Sequence, residues 1–409
     1  MAFPLPTHTL SPALIMAKSN HVPSRDTRAS LLSRSVLWAI LGLALSVPMR
    51  EAVGQGSCKG RPNEHTPICD TTHAPAPFAA TGWKTTGLDH FTMHAVDYKK
   101  EAAFYMALMN WKLRSDDGKQ AVLDVGDVGT VVIVGGYTPA PPPPPRVLSA
   151  ADSAAMAARG GGAGGRGGAG GGQRRAPQVA WDSFAWIIAP WNAKTIEAEL
   201  RKRGLDPVAD NSGPGGCEAF HVKDPQGFDL VLTNACYAKG RKSAKAITWA
   251  EPAPFESTNW KTVWLDHISF GVGDYKKEVA FYETLIGWKP QGDEGSQNEV
   301  WMCDDCGNVL IRGGNALSPA FDKSAPPRAT IDHVSFGLAP FSPDVTGNDL
   351  KSRGLTASPD IGIPGVDAAS HINDATVNYK SFHTNTPMGY NLQISNATKQ
   401  NRTVIIVKP

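Results

Sequence analysis

Two passages of the chain are identical at 14 of 26 aligned positions, and this duplication constrains the fold more than any other feature. "GLDHFTMHAVDYKKEAAFYMALMNWK" runs from Gly87 to Lys112, and "WLDHISFGVGDYKKEVAFYETLIGWK" runs from Trp264 to Lys289, 177 residues later. Leu-Asp-His, Asp-Tyr-Lys-Lys-Glu and Phe-Tyr recur at matching positions in both passages. Repetition at this level indicates two homologous halves that fold on one plan.

Each half also contains a second, weaker copy of the same pattern. "WDSFAWIIAP" (181–190) and "IDHVSFGLAP" (331–340) share the outline of "LDHISFGV". Each is followed by a helical stretch and then by a hairpin-like phrase, "FHVKDPQGFDLVL" or "FHTNTPMGYNLQI". The sequence therefore predicts four units of one kind, arranged in two pairs.

The local pattern predicts how each unit folds. In "DHISFGV", apolar and polar residues alternate, which is typical of a half-buried strand. "DYKKEVAFYETLIGW" has apolar residues at three- and four-residue spacing, which predicts a helix that Asp274 caps and Gly287 ends. Short apolar runs separated by turn residues follow, so each unit is predicted to be a strand, a helix and two or three further strands.

Composition and repeat pattern together set the predicted boundaries. A Pro- and Gly-rich insertion interrupts the first half, and it is predicted to be disordered because it offers little apolar surface to bury. The predicted parts are a signal peptide (1–54), a linker (55–80), module 1 (81–137), the insertion (138–178), module 2 (179–236), a linker (237–258), module 3 (259–315), module 4 (330–397) and a tail (398–409).

The N-terminal region has the layout of a secretory signal. Arginines precede an apolar run from Ser35 to Pro48, whose core of about 13 residues is short for a bilayer span of about 20. We expect export to a periplasm or to the exterior and no stable membrane span after cleavage, with anchoring through residues 35–48 as the alternative. The balance of 40 basic and 38 acidic residues offers no argument for a nucleic-acid partner. No sequence signal indicates an oligomeric state.

Six cysteines fall into three local pairs. In an oxidising compartment each pair can form a disulfide: Cys58 with Cys69, Cys217 with Cys236, and Cys303 with Cys306. Cys303-Asp-Asp-Cys306 is a single CxxC motif between two predicted strands, and no second CxxC is present to complete a zinc tetrad. A structural disulfide across a hairpin, free thiols and a redox-active dithiol all remain open for it.

The repeated outline, with its later Asp-Pro-x-Gly hairpin, resembles the vicinal oxygen chelate superfamily. That superfamily includes glyoxalase I, extradiol dioxygenases, fosfomycin-modifying enzymes and bleomycin resistance proteins. The resemblance covers residues 83–137 and 179–395. It implies an α+β fold in which two tandem domains each pair two βαβββ modules into a cupped sheet.

The resemblance also implies where a metal would bind. Its ligands are a histidine on the first strand of a module and a glutamate on the last strand. The first-strand positions of the four modules are His90, Ser183, His267 and His333. At the last-strand positions stand Thr130 or Ile133, Val231, Ile311 and Gln393, so no acidic residue is present at any of them.

These positions predict that the two halves differ in the metal ligands that they offer. The first half offers His90 alone, because His94 lies about 13 Å further along the same strand, at roughly 3.3 Å per residue. The second half offers His267, His333 and Gln393 for iron, manganese or zinc. The residues expected to line the cavities are His90, His94, Ser183, Ser269 and Ser335.

Two further sets of polar residues are expected to point away from the cavities. A tight hairpin turn would pair Phe220 with Val231 and Phe382 with Gln393, which turns His221 and His383 to the opposite face. Strand alternation similarly predicts that the aspartates preceding the first-strand positions face away from the neighbouring histidines. These aspartates are Asp89, Asp182, Asp266 and Asp332.

Two functions from different classes follow from the resemblance. The first is an exported, metal-dependent lyase or dioxygenase-type enzyme that acts on a small molecule, and the retained histidine pair favours it. The second is a metal-free protein that binds a small molecule, and the missing carboxylates favour it. No Ser-His-Asp arrangement and no phosphate-binding loop is recognisable.

Overall fold

The same succession of elements recurs four times along the chain in the computed structural model. The structure describes residues 70, 72–139, 178–214, 216–241, 247, 249–304, 306–319, 321–324, 326–362 and 366–401. The predicted signal peptide, the pair Cys58–Cys69, nearly all of the insertion and most of the C-terminal tail lie outside these residues.

The first half consists of modules 1 and 2. Module 1 contains β1 (Lys84–Ala95), α1 (Tyr98–Met109), β2 (Lys112–Asp116), β3 (Gln120–Val125) and β4 (Gly129–Val134). Module 2 contains β5 (Val179–Ala189), α2 (Ala193–Lys202), β6 (Val208–Asp210), β7 (Ala219–Lys223) and β8 (Asp229–Thr233).

The second half repeats this order. Module 3 contains β9 (Lys261–Val272), α3 (Tyr275–Ile286), β10 (Lys289–Asp293), β11 (Gln297–Cys303) and β12 (Gly307–Gly313). Module 4 contains β13 (Ala329–Ala339), α4 (Pro343–Ser352), β14 (Ser358–Asp360), a short α5 (Ala368–His371), β15 (Ser381–Asn385) and β16 (Asn391–Ser395).

Local sequence signals explain these elements. On β9, Ile268, Phe270 and Val272 are buried on the apolar face. Helix α3 begins after Asp274, whose carboxylate accepts a hydrogen bond from the backbone N–H of Lys277, and it ends at Gly287 with a φ of 72°. The predicted helix cap and helix end are therefore confirmed.

The modules of each half join into one eight-stranded sheet. The strand orders are β2-β3-β4-β1-β5-β8-β7-β6 and β10-β11-β12-β9-β13-β16-β15-β14. In both sheets the first strands of the two modules pair antiparallel at the centre, and the last strand of each module runs parallel to its own first strand. The predicted α+β class, with two βαβββ modules per sheet, is confirmed.

Reciprocal hydrogen bonds join the two halves. The indole N–H of Trp111 donates to Thr262 Oγ1 at 2.9 Å, and the indole N–H of Trp288 donates to Thr85 Oγ1 at 2.9 Å. Each residue has its counterpart 177 positions away. The duplicated halves therefore contact each other through equivalent surfaces, as the subunits of a two-fold dimer do.

Two of the three cysteine pairs lie in the described residues, and both form disulfides. Cys217 bonds Cys236 after β8, and Cys303 bonds Cys306 across the turn between β11 and β12. Gly307 begins β12 with a φ of 77°, where a Cβ would overlap the carbonyl oxygen of Leu265.

Among the helices that the structure describes, none has the length and apolar character needed to cross a membrane.

Candidate functional site

The aspartate before each first-strand position lies in a β-bulge. On β9, Leu265 pairs with Phe336 and His267 pairs with Ser335, so the cross-strand register skips the intervening Asp266. A bulge adds one residue to a strand and redirects side chains locally. The same skip occurs at Asp332, Asp89 and Asp182. The prediction that alternation turns these aspartates away from the histidines is wrong for the three that precede a histidine, because the ladder is interrupted there.

The second half brings two imidazoles together. The Nε2 atoms of His267 and His333 are 3.1 Å apart, and both side chains are buried. Nδ1 of His267 lies 3.1 Å from Asp266 Oδ2, and Nδ1 of His333 lies 2.8 Å from Asp332 Oδ2. A carboxylate acceptor favours the proton on Nδ1, so the Nε2 lone pairs face each other. The expected convergence of these two histidines is observed.

Burial keeps His333 neutral. Burial is the largest cause that lowers the pKa of His333, to about 3, and the hydrogen bond to Asp332 opposes this shift only in part. The neighbouring His267 and His383 lower that pKa further. A neutral imidazole with a free Nε2 is the form that coordinates a metal ion.

Asp266 is held by several donors. Its Oδ2 accepts hydrogen bonds from Ser335 Oγ at 2.9 Å, Tyr379 Oη at 2.9 Å and Ser395 Oγ at 3.2 Å. The Asp266 side chain is fully buried. These bonds fix the carboxylate that orients His267, and they give Ser335 a positioning role within the site.

Gln393, which pairs with Ser335 on β13, has a fixed amide orientation. Its Nε2 donates to Ser381 Oγ at 2.8 Å and to Asp360 Oδ2 at 3.3 Å. Because both neighbours accept, the other amide atom must be the oxygen. That buried Oε1 has no hydrogen-bond partner within the described part of the chain.

His383 belongs to the same site, contrary to the sequence prediction. It pairs with Gln393 across the hairpin, and its ring lies 5.0 Å from that of His333. The hairpin loop consists of residues 386–390. A register that pairs Phe382 with Gln393 would need a loop one residue shorter. The same shift pairs His221 with Val231 in the first half. A slip of one residue exchanges the two faces of a strand.

Hydrogen bonds hold His383 at the edge of the site. Its Nε2 lies 3.3 Å from Asp360 Oδ2, and its Nδ1 lies 3.0 Å from Asn391 Oδ1. The side chains of His383 and Asp360 are 24% and 40% exposed, so they are more accessible than the buried pair. Asp360 could not be predicted from the sequence, because β14 has only three residues and no alternation to define its faces.

The observed registers also correct two last-strand positions. Gln393 pairs with Ser335, two residues after His333. The equivalent partner on β12 is Leu310, which pairs with Ser269, so the assignment of Ile311 is wrong by one residue. On β4 the equivalent residue is Val132 rather than Thr130 or Ile133. No corrected position is acidic.

The first half differs because its own chain covers the equivalent position. The ring of Tyr237 lies 4.6 Å from that of His90, and the Arg241 guanidinium donates to the carbonyl oxygens of Leu88 and Asp89. Burial alone would raise the pKa of Asp89, but hydrogen bonds from His90 and from the backbone N–H groups of Ala238 and Tyr237 lower it. His90 therefore has a carboxylate on one side and a tyrosine ring on the other.

The other residues predicted for the first-half cavity are His94 and Ser183. The Nε2 atom of His94 lies 3.8 Å from Asp182 Oδ2, and both side chains are more than a third exposed. Ser183 is buried and pairs with Thr92 across the sheet centre. Within the described residues, no group of three or more His, Cys, Asp or Glu side chains is arranged to hold a metal ion. The second-half arrangement instead combines two imidazoles with an amide.

No protein-family model and no curated protein matches the chain. Solved structures do match it. They include the Mn(II)-bound glyoxalase from Novosphingobium aromaticivorans (14% identity, TM-score 0.47, 76% of this chain and 82% of the other). The 2,3-dioxygenase LapB from Pseudomonas sp. KL28 is 14% identical with a TM-score of 0.48, and the match covers 76% of this chain and 92% of LapB. An extradiol ring-cleaving dioxygenase from B. fuscum is 14% identical with a TM-score of 0.46, and the match covers 80% of this chain and 75% of the dioxygenase. Identities this low assign no activity to the chain.

Proposed function

We propose that the second half binds one divalent metal ion through His267 Nε2, His333 Nε2 and Gln393 Oε1. The observation that supports this most directly is the 3.1 Å separation of two buried Nε2 atoms whose Nδ1 atoms are both held by aspartates. Zinc–imidazole bonds of about 2.0–2.1 Å allow two nitrogens at this separation to share one ion. Iron, manganese and zinc all accept imidazole and oxygen ligands.

The surrounding residues fit a metal in two further ways. Carboxylates that hold the second nitrogen of a ligating histidine orient the ring and increase its basicity, and Asp266 and Asp332 occupy these positions. A buried oxygen without a partner, Gln393 Oε1, is a neutral ligand of the kind that such an ion accepts. The amide is weaker than a carboxylate, so we expect lower affinity than in a site with two histidines and a glutamate.

The activity that we propose is metal-dependent lyase or dioxygenase chemistry on a small molecule. A bound ion would supply Lewis acidity and open positions for a bidentate substrate. His383 and Asp360 are the more exposed groups of the site, so an arriving molecule would meet them before the buried histidines. Their shared hydrogen bond allows the pair to hold a proton at His383 Nε2 beside the bound molecule.

A metal-free small-molecule binding protein is the second candidate. It is favoured by the lack of an acidic residue at the observed last-strand positions, including Gln393 on β16 and Leu310 on β12. In that case His267 and His333 would share a proton through their 3.1 Å contact and would hold the site together as a hydrogen-bonded pair.

Metal titration separates the two candidates. We expect the wild-type protein to bind one equivalent of Zn²⁺ or Co²⁺ by calorimetry and elemental analysis. His333→Ala and His267→Ala are expected to lower the affinity at least 100-fold because one of two imidazoles is lost. His90→Ala changes the equivalent residue of the covered first half and is the matched control, with unchanged metal binding. Thermal unfolding of each variant verifies folding. Failure of the wild type to bind either ion would contradict the proposal.

We also propose that the protein is exported. The two disulfides among the described residues support this, because such bonds persist in oxidising compartments. Mass spectrometry of the mature protein from its native cells is expected to show an N-terminus near residue 54. An intact N-terminus on soluble protein would contradict cleavage, and recovery in the membrane fraction would indicate anchoring instead.

A further inference from the structure

The loop that joins β15 and β16 in the second half makes its outer contacts with the first half. The Met388 N–H donates to Glu101 Oε2 on α1 at 3.3 Å, and the Gln178 N–H donates to the Met388 carbonyl oxygen at 2.7 Å. The ring of Tyr390 meets that of Trp181 on β5 edge-on, with centroids 5.5 Å apart. Both backbone hydrogen-bonding groups of Met388 are therefore satisfied across the boundary between the halves.

Hydrogen bonds within the loop also fix its length. The Thr386 N–H donates to the Tyr390 carbonyl oxygen at 2.9 Å, and the Tyr390 N–H donates to Thr386 Oγ1 at 3.2 Å. Gly389 has a φ of 84°, a conformation that favours glycine. Thr386, Met388 and Tyr390 are all buried. A loop closed and buried in this way cannot lose a residue without breaking its contacts with the first half, so these contacts select one register of the hairpin.

The register of the β15–β16 hairpin determines which side chains serve the proposed metal site. In the observed register His383 pairs with Gln393, and Gln393 pairs with Ser335 on β13. A slip of one residue would turn His383 to the opposite face of the sheet. Gln393 follows Tyr390 by three residues, about 10 Å at roughly 3.3 Å per residue of strand. The contacts with the first half therefore act close to the proposed amide ligand.

The first half makes the same kind of contact with the roles exchanged. Its loop between β7 and β8 reaches the second half, where Tyr282 Oη donates to Asp224 Oδ2 at 2.9 Å. That hairpin pairs His221 with Val231, and neither residue belongs to the proposed metal site. The two loop contacts are thus equivalent in position, but only the one at Glu101 holds a hairpin that carries a proposed metal ligand.

We propose that Glu101 is a positioning residue for the metal site of the second half, although it lies in the first half. Its hydrogen bond to Met388 holds the β15–β16 loop, and the loop fixes the register in which Gln393 offers its amide oxygen. This inference rests on the proposed metal binding. The first half, whose own histidine is covered by Tyr237, thereby acts as a clamp on the hairpin of the second half.

Cobalt titration of the full-length chain tests the clamp. Glu101→Leu removes the acceptor for the Met388 N–H and is expected to lower the Co²⁺ affinity about tenfold, as the loss of a residue that supports a metal ligand does. Glu101→Gln keeps an acceptor oxygen and is expected to restore the wild-type affinity. The Co²⁺ absorption bands of Glu101→Leu are expected to match those of Gln393→Leu, because both variants lose the amide ligand.

Matched variants separate positioning from a general loss of stability. Glu278→Leu makes the same change at the equivalent position, beside Asp224, and is expected to leave the Co²⁺ affinity unchanged. Thr386→Val removes the acceptor for the Tyr390 N–H inside the loop and is expected to lower the affinity as Glu101→Leu does. Glu101→Leu combined with Gln393→Leu is expected to lose no more affinity than Gln393→Leu alone, because one ligand is lost only once. Thermal unfolding verifies that each variant is folded.

Hydrogen–deuterium exchange of the metal-free protein distinguishes a failed clamp from a failed metal site. In Glu101→Leu, residues 381–395 are expected to exchange about tenfold faster than in the wild type, whereas Glu278→Leu is expected to affect residues 219–233 instead. Wild-type protein that binds no Co²⁺ would refute the metal site, and the exchange rates would then decide on the clamp. Unchanged exchange in Glu101→Leu, an equal loss of Co²⁺ affinity in Glu278→Leu, or additive losses in the double variant would each overturn the inference.

Discussion

Replacing Trp288 by alanine is expected to destabilise the folded chain by about 3–5 kcal/mol, the usual cost of removing a buried large aromatic side chain. Trp288 is 1% exposed. Its ring stacks on Tyr282 with centroids 4.5 Å apart and meets Trp186 edge-on at 5.4 Å. Its indole N–H also donates to Thr85 in the other half. The substitution therefore removes core packing and one inter-half hydrogen bond together.

The duplication supplies matched controls for this prediction. Trp111 stacks on Tyr105 at 4.5 Å and donates to Thr262, so Trp111→Ala should cost a similar amount. Thr85→Val removes the acceptor for Trp288 and the donor to the carbonyl oxygen of Ile286, and it should cost about 1–3 kcal/mol, as expected for an unpaired buried donor. Urea unfolding monitored by circular dichroism measures all three. A loss below 1 kcal/mol for Trp288→Ala would contradict the packing described.

Replacing Glu101 by glutamine is expected to remove a loss of stability that the wild type shows as the pH rises. Glu101 lies fully buried on α1, and Met388 N–H donates to its Oε2 at 3.3 Å. Burial raises the pKa of Glu101 from 4.5 to about 7, against the smaller opposing effects of Thr386 and Met388. The folded state therefore holds a proton that the unfolded state releases above about pH 4.5.

The sign of this effect follows from linkage between protonation and folding. Stabilisation by the bound proton is complete below pH 4.5 and is lost as the pH rises through about 7. Glutamine has no proton to lose, so Glu101→Gln should match the wild type near pH 4.5. It should exceed the wild type by on the order of 3 kcal/mol at pH 8–9. Urea unfolding across this range tests it, and parallel pH profiles for the two proteins would refute it.

Glu278, the counterpart of Glu101 in the second half, offers an independent comparison. Burial is the largest cause that raises the pKa of Glu278, and the nearby Asp224 raises it further. Glu278→Gln is therefore expected to shift stability in the same direction. Asp224 comes from the β7–β8 turn of the first half, whereas Glu278 lies on α3. Protonation at this position thus affects contact between the halves.

The repeated sequence and the resemblance that it carries to the vicinal oxygen chelate superfamily together predicted the architecture. Strand alternation and helix capping are local, so "DHISFGV" and the Asp274 cap identified β9 and α3 without tertiary information. The resemblance then implied that His267 and His333, on the first strands of paired modules, would converge. Their 3.1 Å contact depends on that topology rather than on a motif around either residue.

The details of the site depend on insertions of a single residue that the sequence does not mark. The bulge at Asp266 interrupts strand alternation and brings the carboxylate to the Nδ1 side of His267. The five-residue loop 386–390 shifts β15 by one position and brings His383 to the site. Neither Asp-His nor Thr-Pro-Met-Gly indicates these shifts, because both phrases are compatible with either register.

The crossed tryptophan–threonine hydrogen bonds have an evolutionary consequence for the covered first half. Its own histidine is shielded by Tyr237 and Arg241, yet Thr85 still accepts from the Trp288 indole. If the gene were shortened to the second half, the Trp288 indole would lose its acceptor and Thr262 would lose its donor. A broad apolar surface would also be exposed to water. Selection can therefore preserve the covered copy as a scaffold for the copy that carries the paired imidazoles.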